Sequence, residues 1–261
     1  MTNDLYFSDV RNQLDVVTLF RNDNFVVSKI EGIRWGQKEA SLSSNAFTDG
    51  DTIQNIKGMP REVNIELKPL NSTGDFSEVY DYFSQYLGRT VYLYWKGRKT
   101  KDGTFNMWLE GTMITCEMPM FENDVRVTFT IHCENPYWMG GIETLNVSAG
   151  QSGKLKGTAP PYNPYVEVTN GLIPTGSGNW LHIGGWFFNA TSTDLTGKVI
   201  ASCTKTSKIL TVGGASHLET IASAFSPSGL VNPSHNISCT SSKNGTYAGY
   251  TFSITYNPQW Y

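Results

Sequence analysis

The chain has 261 residues, of which 39% are hydrophobic, 13% aromatic and 16% charged, with a net charge of -3. That length fits two cores better than one, and the apolar content excludes a disordered polyelectrolyte. The mild acidity excludes a general binder of nucleic acid or anionic membrane, which would need clustered Lys and Arg.

The opening residues, Met1-Thr-Asn-Asp-Leu-Tyr-Phe-Ser-Asp, lack the basic and apolar regions of a signal peptide. No later run approaches the ~18 consecutive apolar residues of a membrane span, so a soluble chain made in the cytosol is expected. Strands with one wet face are expected at 25–32, 62–68, 90–95 and 125–131, where apolar and polar residues alternate or β-branched and aromatic residues dominate. Between the first two lies the segment from Arg34 to Gly58, containing Trp35, Phe47 and Asp49, which reads either as a contact loop, being long for a silent connection, or as a bland mobile loop. A helix is predicted over 75–88. There Asp75 and Glu78 suit the first turn, Phe76, Val79, Tyr80, Phe83 and Leu87 form one stripe, and Gly88 suits the position after the end. The basic run Lys96-Gly-Arg-Lys-Thr-Lys101 before Asp102-Gly103 reads as a solvated hairpin tip, with contact to an acidic partner or a nucleic-acid backbone as the other reading.

Composition changes near residue 140. Residues 1–140 carry 14 Lys/Arg and 19 Asp/Glu, whereas residues 141–261 carry 6 and 4, no arginine, and 30 Ser/Thr. The second half therefore reads as short strands and polar turns, a β-sandwich. The join is expected between Gly140-Gly141 and Gly157-Thr-Ala-Pro-Pro161, where glycine and proline interrupt pairing. Trp180, Trp186, Phe187 and Phe188 flank His182 and Gly184-Gly185, a set that fits either a sandwich core or a stacking platform for a sugar ring. Cys116, Cys133, Cys203 and Cys239 have no CxxC spacing and read as buried thiols, with a Cys203–Cys239 disulfide left open.

Catalytic constellations are missing from the sequence. His132, His182, His217 and His235 lie far apart with no HxH or HExxH spacing, and no GxGxxG or Walker sequence occurs. Neither metal nor cofactor is expected, and an enzyme is not expected.

Several fragments in order carry a family likeness: Ile30-Glu-Gly32, Asp49-Gly-Asp51, Arg61-Glu-Val-Asn-Ile-Glu66, the aromatic helix, and Cys133-Glu-Asn-Pro-Tyr-Trp138. Gly157-Thr-Ala-Pro-Pro-Tyr-Asn-Pro164, Ile209-Leu-Thr-Val-Gly213, Asn232-Pro-Ser-His-Asn-Ile-Ser238 and the final Thr251-to-Tyr261 segment follow. Over nearly its whole length the chain resembles the distal tail proteins of bacteriophages with long, non-contractile tails. The resemblance implies a mainly β protein of two domains. Residues 1–140 would form a β-sandwich or split barrel with one α-helix, and 141–261 a galectin-like β-sandwich. It further implies a hexameric ring at the distal end of the virion tail, single or back to back, through whose lumen DNA passes without specific binding. Such a ring joins the tail tube protein to the tip and a tail-associated hub protein, and serves as the hub for receptor-binding protein. Lateral contacts of a ring should come from edge strands and long loops of the first domain, which makes Arg34, Trp35, Phe47 and Asp49 the interface candidates. This chain leaves no segment over for an inserted carbohydrate-binding module, and the arginine-rich polar cluster of galectin-like lectins is absent. The alternative is a glycan-binding module for host cell-wall polysaccharide, with Trp180, His182 and Trp186 as contacts. A cell-wall hydrolase rests on nothing more than the polar residues of the second half.

Overall fold

The computed structural model describes residues 4–11, 17–20, 22–33, 38–44, 51–70, 76–119, 125–204, 206–218, 221–226, 230, 236–243 and 246–261; at 4, 38–44, 51–58 and 221–224 it describes the backbone. Two compact units are formed, Met1–Trp138 with Tyr261, and Met139–Trp260. The architecture is mainly β, with one helix among the described residues.

In the first unit the strands are β1 (Asp4–Ser8), β2 (Val17–Thr18), β3 (Phe25–Glu31), β4 (Lys38–Ser44), β5 (Asp51–Gly58), β6 (Arg61–Pro69), β7 (Thr90–Thr100), β8 (Gly103–Glu117) and β9 (Val127–Cys133). Seven of them form an antiparallel sheet in the order β2-β1-β7-β8-β9-β6-β3. Period-two alternation decides its faces. On β6, Val63, Ile65 and Leu67 are buried, while Glu62 is exposed and Asn64 and Glu66 are half-buried. β9 buries Val127, Phe129, Ile131 and Cys133 in the same way.

The helix α1 (Ser77–Ser84) closes this core through Phe83, which is stacked on Phe129 at 4.7 Å and meets Phe7 edge-on at 5.2 Å and Phe25 at 6.0 Å. It is shorter than the predicted 75–88. Phe76 sits at the N-cap without a side-chain cap bond, and Asp75 lies outside the described residues. Past Ser84 the chain tightens into turns with three-residue bonds, Tyr86 N–H to Phe83 and Leu87 N–H to Ser84. A three-residue period puts Tyr86, instead of Leu87, beneath Phe83; Tyr86 is buried and Leu87 is 52% exposed. Gly88 has φ +76, but its N–H donates to Met113 on β8 at 2.8 Å, so it ties the turn to the sheet and does not cap the helix.

The segment read as a long loop contains an antiparallel hairpin of β4 and β5, in register from Lys38–Gly58 to Ser44–Asp51 with a shift between Ser41 and Leu42. Its alternation is weak because apolar residues are few, Ala40 and Leu42 on β4 and Ile53 and Ile56 on β5.

Strand β10 (Trp138–Gly140) spans the division, and the second unit continues with β11 (Glu143–Val147), β12 (Gly153–Lys154), β13 (Ala159–Ile173), β14 (Trp180–Ile183), β15 (Trp186–Ala190) and β16 (Leu195–Cys203). Then come β17 (Lys208–Val212), β18 (Ala215–Ser216), β19 (Ile221–Ala224), β20 (Asn236–Ile237), β21 (Cys239–Lys243), β22 (Thr246–Gly249) and β23 (Phe252–Trp260). One sheet runs β18-β17-β16-β13-β23-β11 and the other β19-β15-β14-β21-β22. Between them lies one core holding Val166, Val168, Val199, Phe252 and Ile254 from the first sheet and Leu181, Ile183, Trp186 and Phe188 from the second. This is a β-sandwich. The Gly/Pro-rich stretch expected to interrupt pairing is itself strand: β13 takes in Pro160, Pro161 and Pro164 and pairs with β23 through two register shifts, the device that admits proline into a ladder. Gly157, at φ +106, lies where a Cβ would come within 2.6 Å of the Gln259 carbonyl oxygen.

Candidate functional site

Arg34, Trp35, Phe47 and Asp49, the ring-interface candidates, lie outside the described residues. The β4–β5 hairpin connects to β6 by Met59-Pro60. Before the hairpin, Gly32 has φ +75 and packs so close to β6 that a Cβ would fall 1.8 Å from the Glu62 carbonyl oxygen. Behind it the Ile33 carbonyl oxygen accepts two hydrogen bonds, from Arg61 Nη1 at 3.3 Å and from Trp138 Nε1 at 3.0 Å. Arg61 continues the inward stripe of β6 and is 3% exposed. Burial, with the nearby Arg98 charge adding to it, pushes its guanidinium down to about 10.

Arg98 completes this cluster, its guanidinium carbon 4.6 Å from the Trp95 ring centroid and 5.7 Å from that of Trp138. Burial lowers its pKa as well. A solvated hairpin tip was the expectation for this side chain. The run does end a β7–β8 hairpin, with its two-residue turn at Lys101-Asp102 and with Lys96, Lys99 and Lys101 exposed, but Arg98 is half-buried. Between Trp95–Met107 and Arg98–Phe105 the register shifts by one residue, at Gly97 with φ +68. That bulge brings Arg98 onto the same face as Trp95, where simple alternation would put it on the opposite one.

On the second unit the pleat divides the predicted glycan contacts. Trp186 and Phe188 point into the core; Trp186 is fully buried and its Nε1 donates to the Ser226 carbonyl at 2.6 Å. Trp186 is therefore withdrawn as a sugar contact. Trp180, His182 and Phe187 take the alternate positions, half-buried on the outer face. Trp180 and His182 stack at 3.9 Å, Phe187 meets His182 edge-on at 5.3 Å, and Tyr247 meets Trp180 edge-on at 5.2 Å. Burial lowers the His182 pKa, favouring the neutral ring. Tyr247, 70% exposed, belongs to this face through the Trp180–Ser242–Tyr247 row across β14, β21 and β22. Sequence spacing could not find it, because about 60 intervening residues separate it from β14.

All four cysteines are free and buried, which answers the open Cys203–Cys239 pairing. Burial raises Cys133 and Cys239 to about 12 and Cys116 to about 11, far from the range of a reactive thiolate. Among the described residues no group of His, Cys, Asp and Glu could hold a metal ion, and no helix is long and apolar enough to cross a membrane. A cavity of about 390 Å³ lies against α1, lined among others by Asp23, Phe25, Phe76 and Tyr82. Another of about 500 Å³, at the Arg61 end of β6, holds His132 with Glu62 at 3.7 Å, but its lining has no Ser, Thr or Cys for that pair to activate.

No protein-family model and no curated protein matches the chain. Among solved structures, the Dit protein of phage SPP1, described as a paradigm of the hub adsorption apparatus in phages infecting Gram-positive bacteria, matches at a TM-score of 0.54. It is 15% identical, over 100% of both chains. The baseplate of phage P2 in its activated conformation with Ca matches at 0.40 and 9% identity, over 99% of this chain and 98% of the other. The SPP1 protein shares this chain's fold; at 0.40 the second likeness is too slight to establish one.

Proposed function

We propose that this chain is a structural component of a phage tail tip, a distal tail protein that assembles into a ring and works through its surfaces, without catalysis. The observation that carries the reading is a fold held in common with the SPP1 hub protein from one end of both chains to the other. In this reading the first unit forms the ring, hexameric and single or back to back, and the second decorates its outside. The ring joins the tail tube protein to the tail-associated hub protein and seats the receptor-binding protein, at the distal end of a virion whose parts are made in the host cytoplasm. The surplus of carboxylates in residues 1–140 suits a lumen through which DNA slides without adhering. Light scattering of the purified chain over a concentration series, with negative-stain imaging of the largest species, tests it. A closed ring is expected; a chain that stays monomeric throughout and ignores tail-tube protein would refute the reading.

The outer aromatic face favours a second reading, a glycan-binding module, because exposed aromatic rings stack on the apolar faces of sugars. Calorimetry with host cell-wall polysaccharides, on the natural chain and on Trp180→Ala, separates the two. Heat that vanishes in the variant supports the module, and no heat with any glycan removes it.

A further inference from the structure

The outer face of β14, β15, β21 and β22 carries a run of rings and no charge. Register puts Phe187 level with His182 and Thr240, and Trp180 level with Ser242 and Tyr247, so these side chains share one face. The rings touch in sequence from Phe187 through His182 and Trp180 to Tyr247, each centroid within 5.3 Å of the next. At ~4.8 Å between strands, the way from β15 over β14 and β21 to β22 is about 14 Å, longer than one sugar ring. The approach to Trp180 is fixed in advance. Asn189 Nδ2 donates to the Gly176 and Asn179 carbonyls at 3.0 and 2.6 Å, and the Thr175 N–H donates to Asp194 at 2.9 Å. The loop that delivers Trp180 is thus ordered without a ligand, so little freedom is lost on binding.

Charge decides which ligand such a face accepts. On β14, β15, β19, β21 and β22 the sole Lys, Arg, Asp or Glu is Lys243, and it is tied to Asp194. Burial holds His182 toward its neutral form. A polymer bearing phosphates or carboxylates would shed water against this face without a free cation to receive it, which is costly. An uncharged sugar meets no such penalty. Its apolar C–H face covers a ring, and its hydroxyls find neutral donors and acceptors in the His182 nitrogens and the Thr240 and Tyr247 hydroxyls. We infer that the face formed by Phe187, His182, Trp180 and Tyr247 binds an uncharged glycan chain laid across the strands, with Tyr247 among its contacts. This names the ligand class for the glycan reading above and rests on it.

Calorimetry on the full chain tests it with three uncharged probes, an N-acetylglucosamine hexamer, a neutral glucan and a galactan, beside the anionic wall teichoic acid. Heat is expected from an uncharged probe, with an affinity that changes less than ~2-fold between low and high salt, since no charge pair is there to screen. Trp180→Ala and Tyr247→Ala should each weaken that binding at least ~10-fold and melt with the natural chain; should Trp180→Ala not fold, Tyr247→Ala, at a position 70% exposed, decides. Teichoic acid binding alone, lost in Trp180→Ala and at high salt, keeps the glycan reading and overturns this inference. An uncharged probe that binds both variants as it binds the natural chain puts the site elsewhere and overturns it too. No heat from any probe defeats the glycan reading and this inference together. If light scattering then shows Trp180→Ala associating more weakly than the natural chain, the face is a contact between copies.

Discussion

Phe83 is the residue on which the first core turns, because the side chains it touches come from β1, β3 and β9 at once. Removing that ring leaves a cavity the sheet cannot close, so Phe83→Ala should lower stability by about 3–5 kcal/mol in chemical denaturation. A loss under ~1 kcal/mol would show that the helix is dispensable to the core. Gly32 acts through the backbone: with φ +75 and a Cβ position 1.8 Å from the Glu62 carbonyl, Gly32→Ala cannot be accommodated without moving β3 off β6. It should cost at least ~2 kcal/mol, and an unchanged denaturation midpoint would contradict this close approach. The buried thiols give a pH dependence of definite sign. Cys133 and Cys239 titrate at 9.0 unfolded and at about 12 folded, so the unfolded chain ionises first as pH rises. Stability held by the neutral thiols is complete below pH 9 and is lost between pH 9 and about 12. Cys133→Ala with Cys239→Ala should flatten that alkaline slope relative to the natural chain; an identical slope would assign it to other groups.

At the scale of elements, pleat and bulge decide which side chains work together. Along β14 and β15 the alternation sends Trp186 and Phe188 inward and Trp180, His182 and Phe187 outward. Trp186→Ala should therefore destabilise the second unit by about 3–5 kcal/mol, whereas Trp180→Ala should change stability by ~1 kcal/mol or less. Thermal melts of the two variants check the contrast, and equal losses would place both rings in the core. The Gly97 bulge does the opposite of alternation and brings Trp95 and Arg98 together three positions apart. At the end of α1, three-residue turns exchange Leu87 for Tyr86, a change that an unbroken helical period cannot anticipate.

At the scale of the whole molecule, the fold is shared with the SPP1 Dit protein over the length of both chains at 15% identity. So few shared residues leave pattern, more than particular side chains, as the carrier of the fold. The mainly β class, the strands β6 and β9, the helix α1 and the compositional change near residue 140 can all be read along the chain. These follow from period and local propensity, which are properties of neighbours along the chain. Packing in three dimensions settles the rest: residues 38–58 contain a hairpin, Tyr247 joins Trp180, and Arg61 and Arg98 meet around Trp138. Arg61 had a legible signal, two positions before Val63 on the buried stripe, but its charge argues for the outside until register places it opposite Cys133. Register between distant strands and the one-residue shifts of bulges are settled by packing across the sheet, and a period read along one strand carries no record of them.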